Sequence, residues 1–446
     1  MTTPTIPNAL PVVVPVIDVG IGDRYDAAAV AGIWGTGPGD PLAARWSTPG
    51  DANEWGGNEP LWNDIACEVL ECSTFTGRDG SVEKFNVGTA TIVVRNLDGW
   101  ADFRPPADPD NVLTIRPGRQ IRVGVQVDGA ATQWLWRGVI DVTEPGYRPG
   151  EGDIVTLGCI DAKGDVGRGR LPTTAAPVGD GDKGYQRVAR TLNAAGWPAA
   201  RRRLDVDTVA MLATEYGSQV ADELDRTAES VSGHVYGDLA GRVVFRRRDW
   251  MTWPGTTPVT ATIGNVGAGD VCPAGWEQRF GRDDLTTVAI VGRPGETPII
   301  QTSAEAYGLY GYEPWERGDL LPADTFELSR VASRVRTARS PSTMPRVAAV
   351  ILDAATGDGD VAPVMAAVSP FTPTRLRCRH RRATGELAFD RTMMVVGVTH
   401  TVSPVDGWTC RIALDDALPY RNVDNPARWD DANTKWSSDD QWAMSL

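Results

Sequence analysis

Between Leu61 and Asp161 apolar and polar residues alternate in short runs that stop at Gly, Asn and Asp, and few folds accept that pattern. A period of two gives each run one apolar face, which suits antiparallel sheet rather than helix. Gly88 to Arg95 is rich in β-branched residues and is stopped by Asn96 to Gly99. Gln120 to Val127 alternates, meets Asp128 and Gly129, and resumes at Gln133 to Ile140. This predicts a hairpin, with Ala130 and Ala131 lengthening its loop beyond two residues. Asp153 to Ile160 predicts a further strand, and Ala9 to Ile17, broken by Pro11 and Pro15, predicts an extended segment rather than a signal peptide.

The period then changes. After a Gly- and Pro-rich connector, Gly164 to Gly184, the spacing of Tyr185, Val188 and Leu192 predicts a helix that ends at Gly196 to Pro198. Ser218 is the expected N-cap of a second helix with Val220, Leu224, Ala228 and Val231 on one stripe. His234 to Tyr236 and Arg242 to Phe245 flank Asp238 to Gly241 as a hairpin. A third section returns to strands at Leu285 to Val291, Arg346 to Leu352, Thr392 to His400 and Thr409 to Leu414. Within it Asp324 and Glu327 form an expected capping box for a helix carrying Leu328, Val331, Ala332 and Val335.

Composition narrows the function. The chain has 446 residues, 41% hydrophobic and 23% charged, so it can form a sizeable core and is not disordered throughout. Its net charge of −14 argues against nucleic-acid binding by phosphate neutralisation and against an anionic membrane surface. No run reaches the ~20 apolar residues of a membrane helix. Six cysteines without CxxC spacing (Cys67, Cys72, Cys159, Cys272, Cys378 and Cys410) predict mostly buried thiols, with Cys67 and Cys72 the one pair close enough in sequence for a local disulfide. Four lysines stand against 40 arginines.

The 16 Trp exceed the 8 Phe and 9 Tyr, an order that suits interfaces better than cores. Many fall in two polar, Gly-, Asp- and Asn-rich segments that partly repeat one another. Ala44 to Trp46 precedes Asp51 to Trp55, and Ala427 to Trp429 precedes Asp431 to Trp436. Trp34, Trp46, Trp55, Trp62, Trp429, Trp436 and Trp442 are therefore the expected interface anchors.

The chemistry-bearing motifs are missing. There is no phosphate loop, no HExxH and no GxSxG, and only His234, His380 and His400 could supply an imidazole. The sequence therefore predicts no enzyme, no catalytic residues, no metal site and no cofactor. Short arginine runs at Arg201 to Arg203, Arg246 to Arg248 and Arg377 to Arg382 are expected to pair with acidic neighbours across an interface. Asp358 and Asp360 are spaced for a turn rather than for calcium.

Several segments in order resemble the minor tail proteins of long-tailed actinobacteriophages, themselves similar to the baseplate hub, or tail-associated, family. They run from Trp62 to Asp64, Arg78 to Gly80, Phe85 to Gly88, Asn96 to Gly99, Arg116 to Gly118, Trp136 to Asp141 and Val155 to Asp161. They continue at Gly237 to Asp249, Thr286 to Val291, Ser303 to Gly308 and Val395 to Ala417. The resemblance implies a mainly β fold with an α+β insertion, in which two tube-type β-barrel domains flank a helical and hairpin hub domain. The expected division is 1–165, with a Trp-bearing loop insertion at about 25–60; 166–270 as the α+β insertion; 271–420, with one helix at about 324–339; and a Trp-rich extension over 421–446. In such a plan the strands Ile121 to Val127, Trp134 to Ile140, Leu285 to Val291 and Met393 to Val398 form the barrel wall.

The resemblance also implies a structural role as a homotrimeric, pseudo-sixfold ring at the distal end of a tail tube, made in the host cytoplasm and carried in the virion. Implied partners are a distal tail protein ring or tail tube above, other minor tail and tip or fibre proteins, and a tape measure protein in the lumen. DNA would pass through without specific binding, and the chain would not insert into membrane. The rival expectations are a host-surface carbohydrate-binding protein with Trp platforms and a cell-wall hydrolase with a carboxylate pair.

Overall fold

Alternating residues become strands as the pattern requires. The computed structural model describes residues 13–21, 61–65, 69–78, 84–96, 115, 117–174, 176–216, 219–250, 253–254, 258–267, 269–279, 285–339, 346–355, 361–416 and 421–422. The first section comprises β1 (Val13–Ile21), β2 (Leu61–Asp64), β3 (Val69–Gly77), β4 (Thr89–Arg95), β5 (Gln120–Val127), β6 (Gln133–Arg148) and β7 (Gly152–Ile160). Asp128 takes φ +51° and Gly129 φ +73° in the β5–β6 turn, backbone that Asp and Gly tolerate best.

The middle section holds α1 (Ala162–Gly167), α2 (Gly184–Ala194), β8 (Arg202–Leu204), α3 (Val220–Ser230), β9 (His234–Gly237) and β10 (Val243–Arg246). The predicted stripes of α2 and α3 form one core, in which Val188, Leu192, Val220, Leu224 and Ala228 meet Val235, Val243 and Phe245. Asp238 closes the β9–β10 hairpin: its Oδ1 accepts from the backbone N–H groups of Ala240 and Arg242, and its Oδ2 accepts from the Arg242 guanidinium. Two details differ from the sequence reading. The connector begins with a buried helical turn, α1, because Asp161 caps it by accepting from Gly164 N. The N-cap of α3 is Gln219, while Ser218 lies outside the described residues.

The last section contains β11 (Trp253–Pro254), β12 (Ala261–Gly264), β13 (Gly275–Arg279), β14 (Val288–Val291), β15 (Ile299–Thr302), α4 (Ala304–Tyr310), β16 (Pro314–Arg317) and α5 (Thr325–Arg339). It continues with β17 (Arg346–Asp353), α6 (Val361–Ala367), β18 (Arg375–Arg381), β19 (Leu387–Ser403), β20 (Gly407–Asp416) and β21 (Arg421–Asn422).

Thirteen strands form one sheet in the order β13-β17-β20-β19-β3-β4-β7-β6-β5-β1-β2, with β18 also on β19 and β12 on β18. The two β sections are thus joined edge to edge where β3 runs antiparallel to β19, from Cys72 opposite Val402 to Gly77 opposite Gly397. A Cβ on Gly77 would lie 2.4 Å from the Val396 oxygen and 2.5 Å from Gly397 Cα, and one on Gly397 would lie 2.7 Å from the Arg78 oxygen. Two glycines therefore let the backbones close at the seam. Separate apolar cores underlie the sheet, one around Ile17, Ile92, Trp136 and Leu157, the other around Val350, Leu376, Val398 and Trp408. The fold is mainly β with an α+β insertion.

The expectation for Leu285 to Val291 needs correction. β14 does not join the large sheet; it sits between β15 and β16 in a sheet of three. Ala289, Val291, Ile299 and Trp315 give that small sheet an apolar face, and the stripe Leu328, Val331, Ala332 and Val335 of α5 covers it. The wall position is lost because the apolar face already has a partner nearby in sequence. Asp324 Oδ1 accepts from Phe326 N as an N-cap does, but Glu327 turns away from the expected box and takes the Arg248 guanidinium at 2.6 Å.

Candidate assembly interface

Of the expected Trp anchors, Trp34, Trp46, Trp55, Trp429, Trp436 and Trp442 lie outside the described residues, and so do Cys67, Asp358 and Asp360. Trp62 lies on β2, at one end of the strand order, where it stands opposite Gly20 of β1. Register puts Asp18 of β1 opposite Arg122 of β5, and the guanidinium donates to Asp18 Oδ2 at 2.9 and 2.7 Å. The same guanidinium carbon is 4.3 Å from the centre of the Trp62 ring and 3.9 Å from that of Trp134. Arg137 lies 5.0 Å from the Trp62 ring and donates to Gln120 Oε1 at 2.8 Å.

Trp62 thus packs against arginines of its own chain. The arrangement fastens the end strand to β5 and β6 with two cation–π contacts, beside a part-buried ion pair that ties β1 to β5. Replacing Arg122 with Ala is expected to lower the unfolding free energy by about 1–3 kcal/mol, through loss of a part-buried charged hydrogen bond and ring packing. Arg122→Lys should recover less than half of that, because an ammonium cannot present the planar fork. Denaturant midpoints read by tryptophan fluorescence measure both.

Several arginines of the three runs have acidic partners within the chain. Arg377 is bidentate to Asp390 at 2.8 and 2.7 Å, Arg379 pairs with Asp270, and Arg382 pairs with Glu386 at 3.0 Å. Arg246 reaches Asp205 at 3.0 Å and Arg248 reaches Glu327 at 2.6 Å. Arg201 is buried and donates to Gln120 Oε1 and the Gly241 oxygen, both at 3.4 Å. The signal missed in the sequence was the spacing of the acids: Asp270 and Glu327 lie far along the chain from the arginines they meet.

A buried polar cluster joins the first β section to the insertion. Lys163 Nζ donates to the Phe85 oxygen at 2.5 Å and pairs with Asp225 at 2.7 Å; Lys84 reaches the same carboxylate at 3.0 Å. Two of the four lysines therefore serve one aspartate. Burial also raises Asp161, whose carboxylate accepts from Gly88 N at 2.9 Å and Gly164 N at 2.8 Å. Desolvation lifts its pKa from 3.8 to about 6, against the pull of those N–H groups and of Lys163. A group raised on folding adds stability that is complete below about pH 3.8 and is lost as pH rises through about 6. Urea midpoints should therefore fall between pH 4.5 and 7.5, and Asp161→Asn should flatten that part of the profile.

The histidines are structural in their surroundings. His234 is buried with both ring nitrogens near Arg78 Nη1, at 3.3 and 3.4 Å. Burial first, then the charges of Arg78, Arg334 and Lys163, hold it well below the usual imidazole range. His400 accepts from the Trp408 indole at 3.2 Å, and burial lowers its pKa to about 3. His380 packs between Trp276 and Phe389. A cavity of about 40 Å³ beside His234, Asp225 and Glu229 has room for water but not for a sugar or peptide. Cys72, Cys159, Cys378 and Cys410 are buried free thiols, and burial pushes the Cys378 thiol up to about 12.

No protein-family model and no curated protein matches the chain. Solved structures do. The tail protein from Neisseria meningitidis MC58 superposes with a TM-score of 0.55 at 12% identity, over 91% of this chain and 98% of that one. The 43 kDa tail protein of prophage MuSo2 from Shewanella oneidensis gives 0.53 at 12% identity, over 80% and 96%. A looser likeness, 0.44 at 10% identity over 80% and 76%, is to the E. coli c3393 protein, a type VI secretion component described as similar to T4 bacteriophage tail proteins gp27 and gp5. Over 91% and 80% of its length respectively, the chain has the fold of these two tail proteins.

Proposed function

We propose that the chain is a structural protein of a phage tail, a hub subunit at the tail tip of the actinobacteriophage minor-tail type. The observation that carries this reading is the whole-length likeness to two tail proteins, each covered almost end to end. The seam supports it: β3 on β19 joins the two β sections into one sheet, which a continuous ring wall needs. Three copies, each with two tube-type β domains, form a pseudo-sixfold ring that adapts a sixfold tube to threefold tip proteins. The domain division at about 165, 270 and 420 belongs to the same reading, as do the Trp clasps at both chain ends.

In that ring the partners are the distal tail protein or tube above, other minor tail and tip or fibre proteins, and the tape measure protein in the lumen. Three copies at −14 each surround a channel for DNA. Repulsion between wall and phosphate lets the polymer slide, whereas attraction would hold it by counterion release. The protein acts by burying surface, not by catalysis. Light scattering on the purified full-length chain is expected to give the mass of three copies. A monomer that binds cell-wall polysaccharide, or cleaves peptidoglycan, would overturn the reading in favour of one of its rivals.

A further inference from the structure

A cyclic trimer joins each copy to the next through two different surfaces, so a ring-forming chain must carry a complementary pair. On the trimeric reading above, two exposed surfaces are candidates for that pair.

One is the turn of the β18–β19 hairpin. Among the described residues β20 pairs with β19 from Met393 onward and β18 pairs with it from Leu387, so the hairpin turn lies beyond the last described residue of β20. Residues 381–387 are exposed. Trp276 packs edge-on against Phe389 at 5.2 Å and stiffens the base. From Arg375 to Arg391 there are six arginines and two carboxylates, a surplus of four positive charges in a chain that is negative overall. Arg381 and Arg382 stand at the end with Leu387, which is 47% exposed. The Arg382–Glu386 pair is more than half exposed on both sides and so is easily exchanged for another partner.

The other is the face of the β15–β14–β16 sheet that α5 does not cover. Register places Ile290 between Ile300 and Glu316 on that face. Ile300 is 60% exposed, and Tyr307, Leu309 and Tyr312 are exposed in the chain that follows. Such a group of large apolar side chains marks a contact surface. From Ile299 to Asp319 there are four carboxylates and one arginine, and that arginine, Arg317, is already engaged by Glu229 and Asp319. Glu316 is exposed on that face by its register with Ile290, and Glu305 is exposed in the helix that follows β15.

We propose that the hairpin end of one copy, Arg381 to Leu387, seats on this open face of the next copy. Leu387 meets the Ile300 and tyrosine surface, and Arg381 and Arg382 meet Glu305 and Glu316. One end is basic with an apolar tip; the other is apolar with an acidic rim.

Charge exchange on the full-length chain tests the contact, with mass read by light scattering and folding by circular dichroism. Arg381→Glu with Arg382→Glu, and separately Glu305→Arg with Glu316→Arg, should each weaken trimerisation about a hundredfold by placing like charges together. All four substitutions in one chain should restore the trimer. Trimers that persist unchanged in both double variants would overturn this contact and leave the trimeric reading standing. A four-substitution chain that folds but stays monomeric would overturn the pairing of the two surfaces. A wild-type chain that is monomeric at every concentration would overturn the trimeric reading itself.

Discussion

Gly77→Ala is expected to destabilise the protein by about 2–5 kcal/mol, from a strained backbone and a forced shift of the facing strand. Gly77 has φ +111°, and an added Cβ would meet backbone, not the movable end of a side chain. Its neighbours there, Val396 and Gly397, belong to the other β section, so the clash falls on the seam that unites the two. Gly129→Ala is the control. It has φ +73° with nothing within 4 Å of the new methyl, so it should cost only about 1 kcal/mol. Urea unfolding of both variants measures the difference. Equal penalties would contradict the close approach of β3 and β19.

Asp225→Ala is expected to cost about 3–5 kcal/mol, because it leaves a buried ammonium without its counter-charge. Lys163 is 2% exposed and cannot turn to water, whereas Lys84, with a side chain 53% exposed, can. Asp225→Ala combined with Lys163→Met should therefore be less damaging than Asp225→Ala alone, since no charge is stranded. Lys84→Ala should cost under about 1 kcal/mol, as half-exposed pairs do. A double variant as unstable as the sum of its parts would show that the two residues act independently.

What could be read from the sequence was what is local. The stripe of Val188 and Leu192 on α2, the Asp128–Gly129 turn and the Asp238 hairpin each follow from neighbours a few residues apart, and each stands where expected. The seam could not be read this way, because Gly77 and Gly397 sit in different sections and neither run states its partner. The same limit misplaced Leu285 to Val291. Its apolar run suits a wall strand, and only the packing of α5 reveals a separate small sheet. Glu327 fits a capping box by spacing, yet Arg248 claims its carboxylate. Trp62 packs on Arg122, a pairing set by the register of β1 with β2 and β5 that no local run states.

The site was legible chiefly as a lack of motifs. Of the three histidines, His234 and His400 are buried and held well below the usual imidazole range, which no local pattern in the sequence states. The acidic charge, which first argued against binding DNA, becomes in the proposed ring a condition for letting DNA pass.

The most direct measurement is a reconstruction of the intact virion tail by electron cryomicroscopy, with this chain fitted at its distal end. The account predicts three copies around the tail axis, two β sections per copy in a pseudo-sixfold ring, and acidic or neutral residues in excess on the lumen wall. A copy number other than three, a position off the tail axis, or a basic lumen would contradict it.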